Sequence, residues 1–304
     1  MRLIATAVSA LSLMAGYAEA EILFDWQRIA NAGNAADTNG LGRVDYEFNL
    51  AQDAVTYSQY AAFLNATAKS DPNALYNPQM AIHQAGGIAR SGTDGSFSYS
   101  VQAGREDHPA LFVNFFSAMR FTNWLHNGQG SGGTESGVYD IQDGFAETRS
   151  ADARYFLPSE NEWYKAAYYQ PATSGGDGDN YWLYPTSSNT EPIADIEATI
   201  ARNIASGDTT PVGSYPSNYF GINDMAGNAM EWTEGLLSAT QQRVAWGGTW
   251  YTLSNSTAAT SGGIVQSPQS GDFANGFRVA APIPNSATAA LLIAAVPFVQ
   301  RRRR

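Results

Sequence analysis

The sequence of 304 residues contains no cysteine. That absence excludes disulfides, thiolate metal sites, iron–sulfur clusters and every cysteine nucleophile. Histidine is scarce, with His83, His108 and His126 too scattered to form a zinc-binding pattern. Basic residues are also few, 17 against 28 acidic ones, for a formal net charge of −11. With the last four arginines the only basic run, a nucleic-acid-binding surface is excluded. There is no fixed-period repeat, and no proline-rich or low-complexity linker divides the chain. What is abundant is core material: 44% hydrophobic and 12% aromatic residues describe a folding chain rather than a disordered one.

Both ends read as addresses. Residues 1–20 have the layout of a secretory signal peptide: Arg2, an apolar run from Leu3 to Gly16, and the small-x-small site Ala18-Glu19-Ala20. At the other end, Pro282-Ile283-Pro284 precedes a largely apolar stretch from Ser286 to Gln300, then Arg301 to Arg304. As a helix that stretch reaches only about 22 Å, short of the hydrocarbon thickness of about 30 Å. The arginines belong on the cytoplasmic side and leave the body outside. This arrangement resembles the PEP-CTERM class of sorting signals, with Ile283 where that class usually carries Glu. The resemblance implies export in a Gram-negative bacterium, to the outer surface or extracellular matrix. It also implies an exosortase-type processing enzyme as a partner; a plain membrane anchor is the alternative. The expected division is therefore 1–20 signal, 21–281 domain and 282–304 membrane segment with arginine tail. Without Arg2, Glu19 and the terminal arginines the body keeps 12 basic and 27 acidic residues, net −15. Such acidity suits solubility or the holding of hard cations.

Between the ends, helices are expected over about Thr56 to Ala68 (capping box Thr56/Gln59), Phe116 to His126, and after Ser159, whose box is closed by Glu162. Strand-like pieces are Val44 to Phe48, Phe97 to Val101, Val138 to Ile141 and Phe277 to Ala280, separated by loops rich in Gly, Ser and Asp. One mixed α+β domain with much loop follows.

Four segments occur in order: His108 to Phe115 continuing to Asn123-Trp124-Leu125; Arg154 to Ala167; Pro211 to Pro216 continuing through Phe220 to Thr233; and Arg243 to Trp250, ending in Gly276-Phe277-Arg278-Val279-Ala280. Together they resemble the formylglycine-generating enzyme family, or sulfatase-modifying factor domains, over roughly Val44 to Ala280. The resemblance implies a C-type-lectin-like α+β fold. It does not carry the family's oxidation of a substrate cysteine, which uses two copper-binding cysteines before the Gly-Phe-Arg end. Here Tyr251 to Thr260 contains no thiol, and a hydroxyl does not replace a soft thiolate for Cu(I), so copper is not expected.

By the same resemblance, calcium is the expected cofactor. The carbonyls of Gly227 and Ala229 and the carboxylate of Glu231 match the family's ligands, with Asp224 in place of a usual Asn. A second site would begin at Asn203 and Ile204, with Asp208 the nearby acid. Calcium takes six to eight oxygens of these kinds. Alternatively, Glu231 pairs with a buried arginine such as Arg278 while Asp224 caps a turn. Trp250 and Tyr251 stand where the family builds its cleft and suit either a groove for peptide or sugar or core packing. Gly247-Gly248 reads as a tight turn and His108 as structural. No catalytic residue is assigned. The expected function is a calcium-stabilised binding module for a glycan or protein at the cell surface or matrix; the alternative is an enzyme of the family with altered, metal-dependent oxidase or hydroxylase chemistry.

Overall fold

The computed structural model describes residues 21–141, 148–200 and 207–284. The signal-like segment 1–20, the apolar stretch and arginines from Ser286 onward, and Asn203 and Ile204 lie outside the described residues.

The expected helices form where their caps predict. Helix α1 (Tyr57–Thr67) opens on a reciprocal box in which Thr56 and Gln59 satisfy each other's backbone N–H groups. Its inner face buries Tyr57, Tyr60, Phe63 and Leu64, and the two phenols reach the carbonyls of Ala85 and Leu75 at 2.7 Å each. A single turn, α2 (Gln79–Ile82), follows. Helix α3 (Phe115–His126) starts one residue earlier than expected because Asn114 caps it by accepting from Ser117 N–H. Helix α4 (Glu160–Tyr168) carries the Ser159/Glu162 box. Helices α1 and α3 meet through rings, with Phe63 5.4 Å and Phe277 5.1 Å from Phe121.

The strands depart more from expectation. β1 (Trp26–Ile29), β2 (Phe48–Ala51) and β9 (Ala280–Pro282) make an antiparallel sheet in the order β1-β2-β9. The segment from Val44 is not a strand until Phe48, because a preceding loop already binds Val44: its carbonyl accepts from Gly33 N–H and its N–H donates to Asn34 Oδ1. β3 (Ile88–Ser91) and β4 (Ser98–Val101) form a hairpin. Val138 to Ile141 form no strand; Tyr139 N–H donates to the Asn123 side chain and Ile141 N–H to Glu135 O, which leaves no edge to pair. The last expected strand is two. β8 (Asn275–Phe277) pairs in parallel with β5 (Met230–Leu237), and after a break at Arg278 and Val279 the chain enters β9 in the other sheet. With β6 (Gln242–Trp246) and β7 (Ile264–Gln266) these complete the order β7-β6-β5-β8. Among the described residues no helix is long and apolar enough to cross a membrane.

One buried amine lies inside this scaffold. Lys165 on α4 is buried, donates to Asn31 O at 2.8 Å, and is pushed down to about 8 by desolvation, against the pull of Glu47 and Asp45. Between pH 8 and the ordinary lysine value of about 10.4 the unfolded chain binds more protons, so folding stability rises with pH there. Thermal melts from pH 7.5 to 9.5 are expected to show this rise in the wild type and to lose it in Lys165→Met.

Candidate functional site

Three of the four sequence motifs converge on Glu231. It lies in β5 between Trp246 of β6 and Gly276 of β8, so its carboxylate is enclosed by the sheet and by α4. Arg278 donates Nε to Oε2 at 3.0 Å and Nη2 to Oε1 at 2.8 Å, and Trp163 Nε1 adds a third donor at 2.7 Å. The remaining guanidinium hydrogens reach the carbonyls of Ala51, Gln52 and Asn223. Both charged side chains are essentially inaccessible, at 0% and 1% exposure, yet every strong donor has an acceptor. Burial disfavours the cation, but Glu231, with Asp53 and Asp224 beyond it, holds the Arg278 guanidinium above its ordinary range.

The turn before β5 needs backbone that few residues allow. Gly227 has φ +85°, and a Cβ there would lie 2.1 Å from Thr199 O. Its N–H donates to Gly247 O at 2.6 Å, which joins the two glycine turns. Asn228 closes a reciprocal pair with the backbone of Thr210. Asp224, also at positive φ (54°), accepts Gly213 N–H on Oδ2 at 2.7 Å. Desolvation raises its carboxyl to about 6 against the opposing effects of Gly213 N–H and Arg278.

The expected calcium ligands Asp224, Gly227, Ala229 and Glu231 are thus brought to one turn, but Glu231 does not fit the part. Its charge is matched by Arg278 and its oxygens are taken, which is the alternative left open by the sequence. Asp224 fits better, since its Oδ1 has no hydrogen-bond partner among the described residues. No three His, Asp or Glu side chains among the described residues are grouped to hold a metal ion. Of the second expected site, Asp208 pairs with Arg105. Next to that pair, His108 Nδ1 lies 2.8 Å from Thr209 Oγ1, and burial followed by Arg105 lowers its affinity for a proton.

The two expected cleft aromatics separate in role. Trp250 is only 6% exposed; its backbone N–H donates to Asn228 O and its indole to Phe273 O, so it packs rather than presents a face. Tyr251 is half-buried and lies 4.8 Å from Phe273, whose ring stacks on His83 at 5.3 Å and 18°. Phe273 and His83 were not legible as site residues, because neither falls in a motif. Where the family's cysteines would stand, hydroxyls serve the backbone: Thr252 accepts from Thr249 N–H and Thr257 donates to Ser254 O. Neither faces a general base.

A second buried network was also missed. Arg149 forks between Glu162 and Glu234 with contacts of 2.6–3.0 Å; Tyr46 donates to Glu162 and Tyr139 to Glu234, at 2.7 Å each. Glu162 signals only a helix cap in the sequence, and Arg149 follows a loop without a pattern.

This combination, short helices and strands joined by long loops around a buried ion pair, defines an irregular α+β domain. The chain belongs to the sulfatase-modifying factor enzyme 1-like domain family, whose model matches residues 32–283. Among curated proteins it resembles the serine/threonine-protein kinases Pkn1 of Chlamydia caviae (27% identical over 189 residues) and Chlamydia trachomatis (29% over 187). Each match covers 62% of this chain but only 23% and 22% of the kinase, so the chain spans under a quarter of those proteins. Among solved structures, CarF superimposes with a TM-score of 0.58 at 20% identity, covering 86% of this chain and 99% of CarF. Treponema denticola variable protein 1 gives 0.52 at 18%, covering 86% and 95%. At these identities the structures establish the fold: that of the formylglycine-generating enzymes.

The Glu231–Arg278 pair sets the first stability test. Glu231→Leu or Arg278→Met alone is expected to cost about 3–5 kcal/mol, because each leaves the other charge buried and unpaired. The double variant is expected to lose less than the sum, as read from chemical-denaturation midpoints.

Proposed function

We propose that the chain is an exported, surface- or matrix-associated binding module of its family that recognises a glycan or protein and does not generate formylglycine. The observation that carries this reading is the cysteine-free segment 251–260, whose hydroxyls cap backbone beside the half-exposed Tyr251, Phe273 and His83. Stacked half-buried rings suit sugar faces or peptide side chains. Export rests on the two terminal segments, with the tail a substrate for an exosortase-type enzyme. Calcium is retained in the proposal as a stabilising ion at Asp224 with the carbonyls of Gly227 and Ala229, and at Asn203 and Ile204.

The full chain, immobilised with calcium or with chelator, is expected to retain envelope or extracellular polysaccharide saturably, and Tyr251→Ala with Phe273→Ala to weaken retention at least tenfold. Calcium is expected to raise the melting temperature of the wild type but not of Asp224→Ala. A rise that survives this change places the ion elsewhere. Failure of retention, together with oxygen uptake on added peptides, would replace the binding reading with the enzymatic one.

A further inference from the structure

A different part of the surface has a strand edge that no described residue pairs with. β1 is the outer strand of its sheet, and its phase is fixed by the 2.7 Å bond from Gln52 N–H to Asp25 O. Residues 25, 27 and 29 therefore turn their backbone groups toward β2, and Trp26 and Arg28 turn theirs to the open side. No described residue bonds the backbone of Trp26 or Arg28 on that side. Such an edge accepts another strand unless something covers it.

The side chains along the edge have a consistent chemistry. Phe24, Trp26 and Tyr155 form a half-buried aromatic row, with centroids 5.4 Å and 6.1 Å apart and Trp26 stacked on Tyr155. The indole N–H of Trp26 has no partner among the described residues, whereas those of Trp124, Trp163, Trp182, Trp232, Trp246 and Trp250 all donate to oxygen. Phe24 is also a wall of a cleft of about 300 Å³ that contains Asp25, Asp53 and Asp107 and no basic side chain. Asp53 accepts from Asn223, and the carboxylates of Asp25 and Asp107 have no hydrogen-bond partner among the described residues. The arginines of the neighbouring segments are matched: Arg28 pairs with Glu47, Arg105 with Asp208 and the buried Arg278 with Glu231.

We propose that the β1 edge binds an extended, lysine- or arginine-bearing peptide segment of a partner protein as an added antiparallel or parallel strand. Backbone bonds to Trp26 and Arg28 supply the register, one cationic side chain enters the Asp25/Asp53/Asp107 cleft, and a neighbouring one lies over the aromatic row. The charge of the cleft selects the occupant. This site shares no residue with the Tyr251 patch, so it stands or falls separately from the polysaccharide reading.

The test uses the full chain and a ten-residue alternating threonine–lysine peptide, followed by calorimetry and tryptophan fluorescence. Saturable binding that weakens with salt is expected, with none for the threonine–glutamate counterpart. Arg28→Pro removes the outward N–H together with the side chain paired to Glu47 and is expected to weaken binding at least tenfold, whereas Arg28→Ala, which removes the same pair but keeps that N–H, leaves it intact. Should Arg28→Pro fail to fold, Trp26→Ala and the Asp25→Asn/Asp107→Asn pair are expected to show the same loss. Absence of binding, or lysine-peptide binding indifferent to Arg28→Pro in a folded variant, would overturn strand addition. So would displacement of the peptide by a neutral oligosaccharide, or a dimer of the chain that Arg28→Pro dissolves.

Discussion

The buried Glu231–Arg278 ion pair ties the two main sheets to each other. Arg278 touches the end of β2, the loop at Asn223 and the start of β5 at once, through donors that all find acceptors. A charge enclosed this completely is tolerable only because Glu231 faces it with both oxygens and Trp163 completes the set. The pair fixes the distance between the two main sheets, and the glycine turns at Gly227 and Gly247 and the loops they anchor follow from it. It also decides what Glu231 is free to do: a carboxylate that neutralises a guanidinium is poorly placed to neutralise a divalent ion as well.

The surface around this frame is where relatives of the same fold are free to differ. Short strands and single helical turns need few residues to specify them, so the loops between carry most of the chain and most of the exposed aromatic area. In this chain the loop after β6 carries the hydroxyls of Thr252 and Thr257, bonded to its own backbone, and Tyr251, Phe273 and His83 form a half-buried cluster of rings. The match to the two chlamydial kinases covers less than a quarter of their length.

Much of the frame was legible before the structure. Capping residues placed α1 and α4 almost to the residue, since Thr56 and Ser159 satisfy local N–H groups whatever the rest of the fold does, while α3 was legible from its apolar spacing alone and its Asn114 cap was not. Strands were less legible because a strand is defined by its partner. Val44 and Tyr139 have strand-like neighbours, yet loop side chains claim their backbone first, and Phe277 to Ala280 reads as one strand although it serves two sheets. The site was half legible for a similar reason. The motif brought Asp224, Gly227, Ala229 and Glu231 to one turn, but the cation that occupies Glu231 comes from a residue 47 positions on. Trp250 and Tyr251 are neighbours in sequence with opposite fates, one packed and one presented. Nothing in the sequence marks His83 or Phe273 as their company.

The parallel pairing of β5 with β8, and the passage of the chain through Arg278 into β9, has a consequence for the order in which the domain is assembled. Both main sheets are completed by residues 275–282, the last of the described body. Until that stretch has been synthesised, Glu231 lacks its counter-charge, β5 lacks one neighbour, and β2 lacks the strand beside it. The β2–β9 contact joins Leu50 to Ala280 across most of the chain's length, which makes it late and slow to form. In a growing chain of this design, both sheets therefore wait on one short stretch for their last strand.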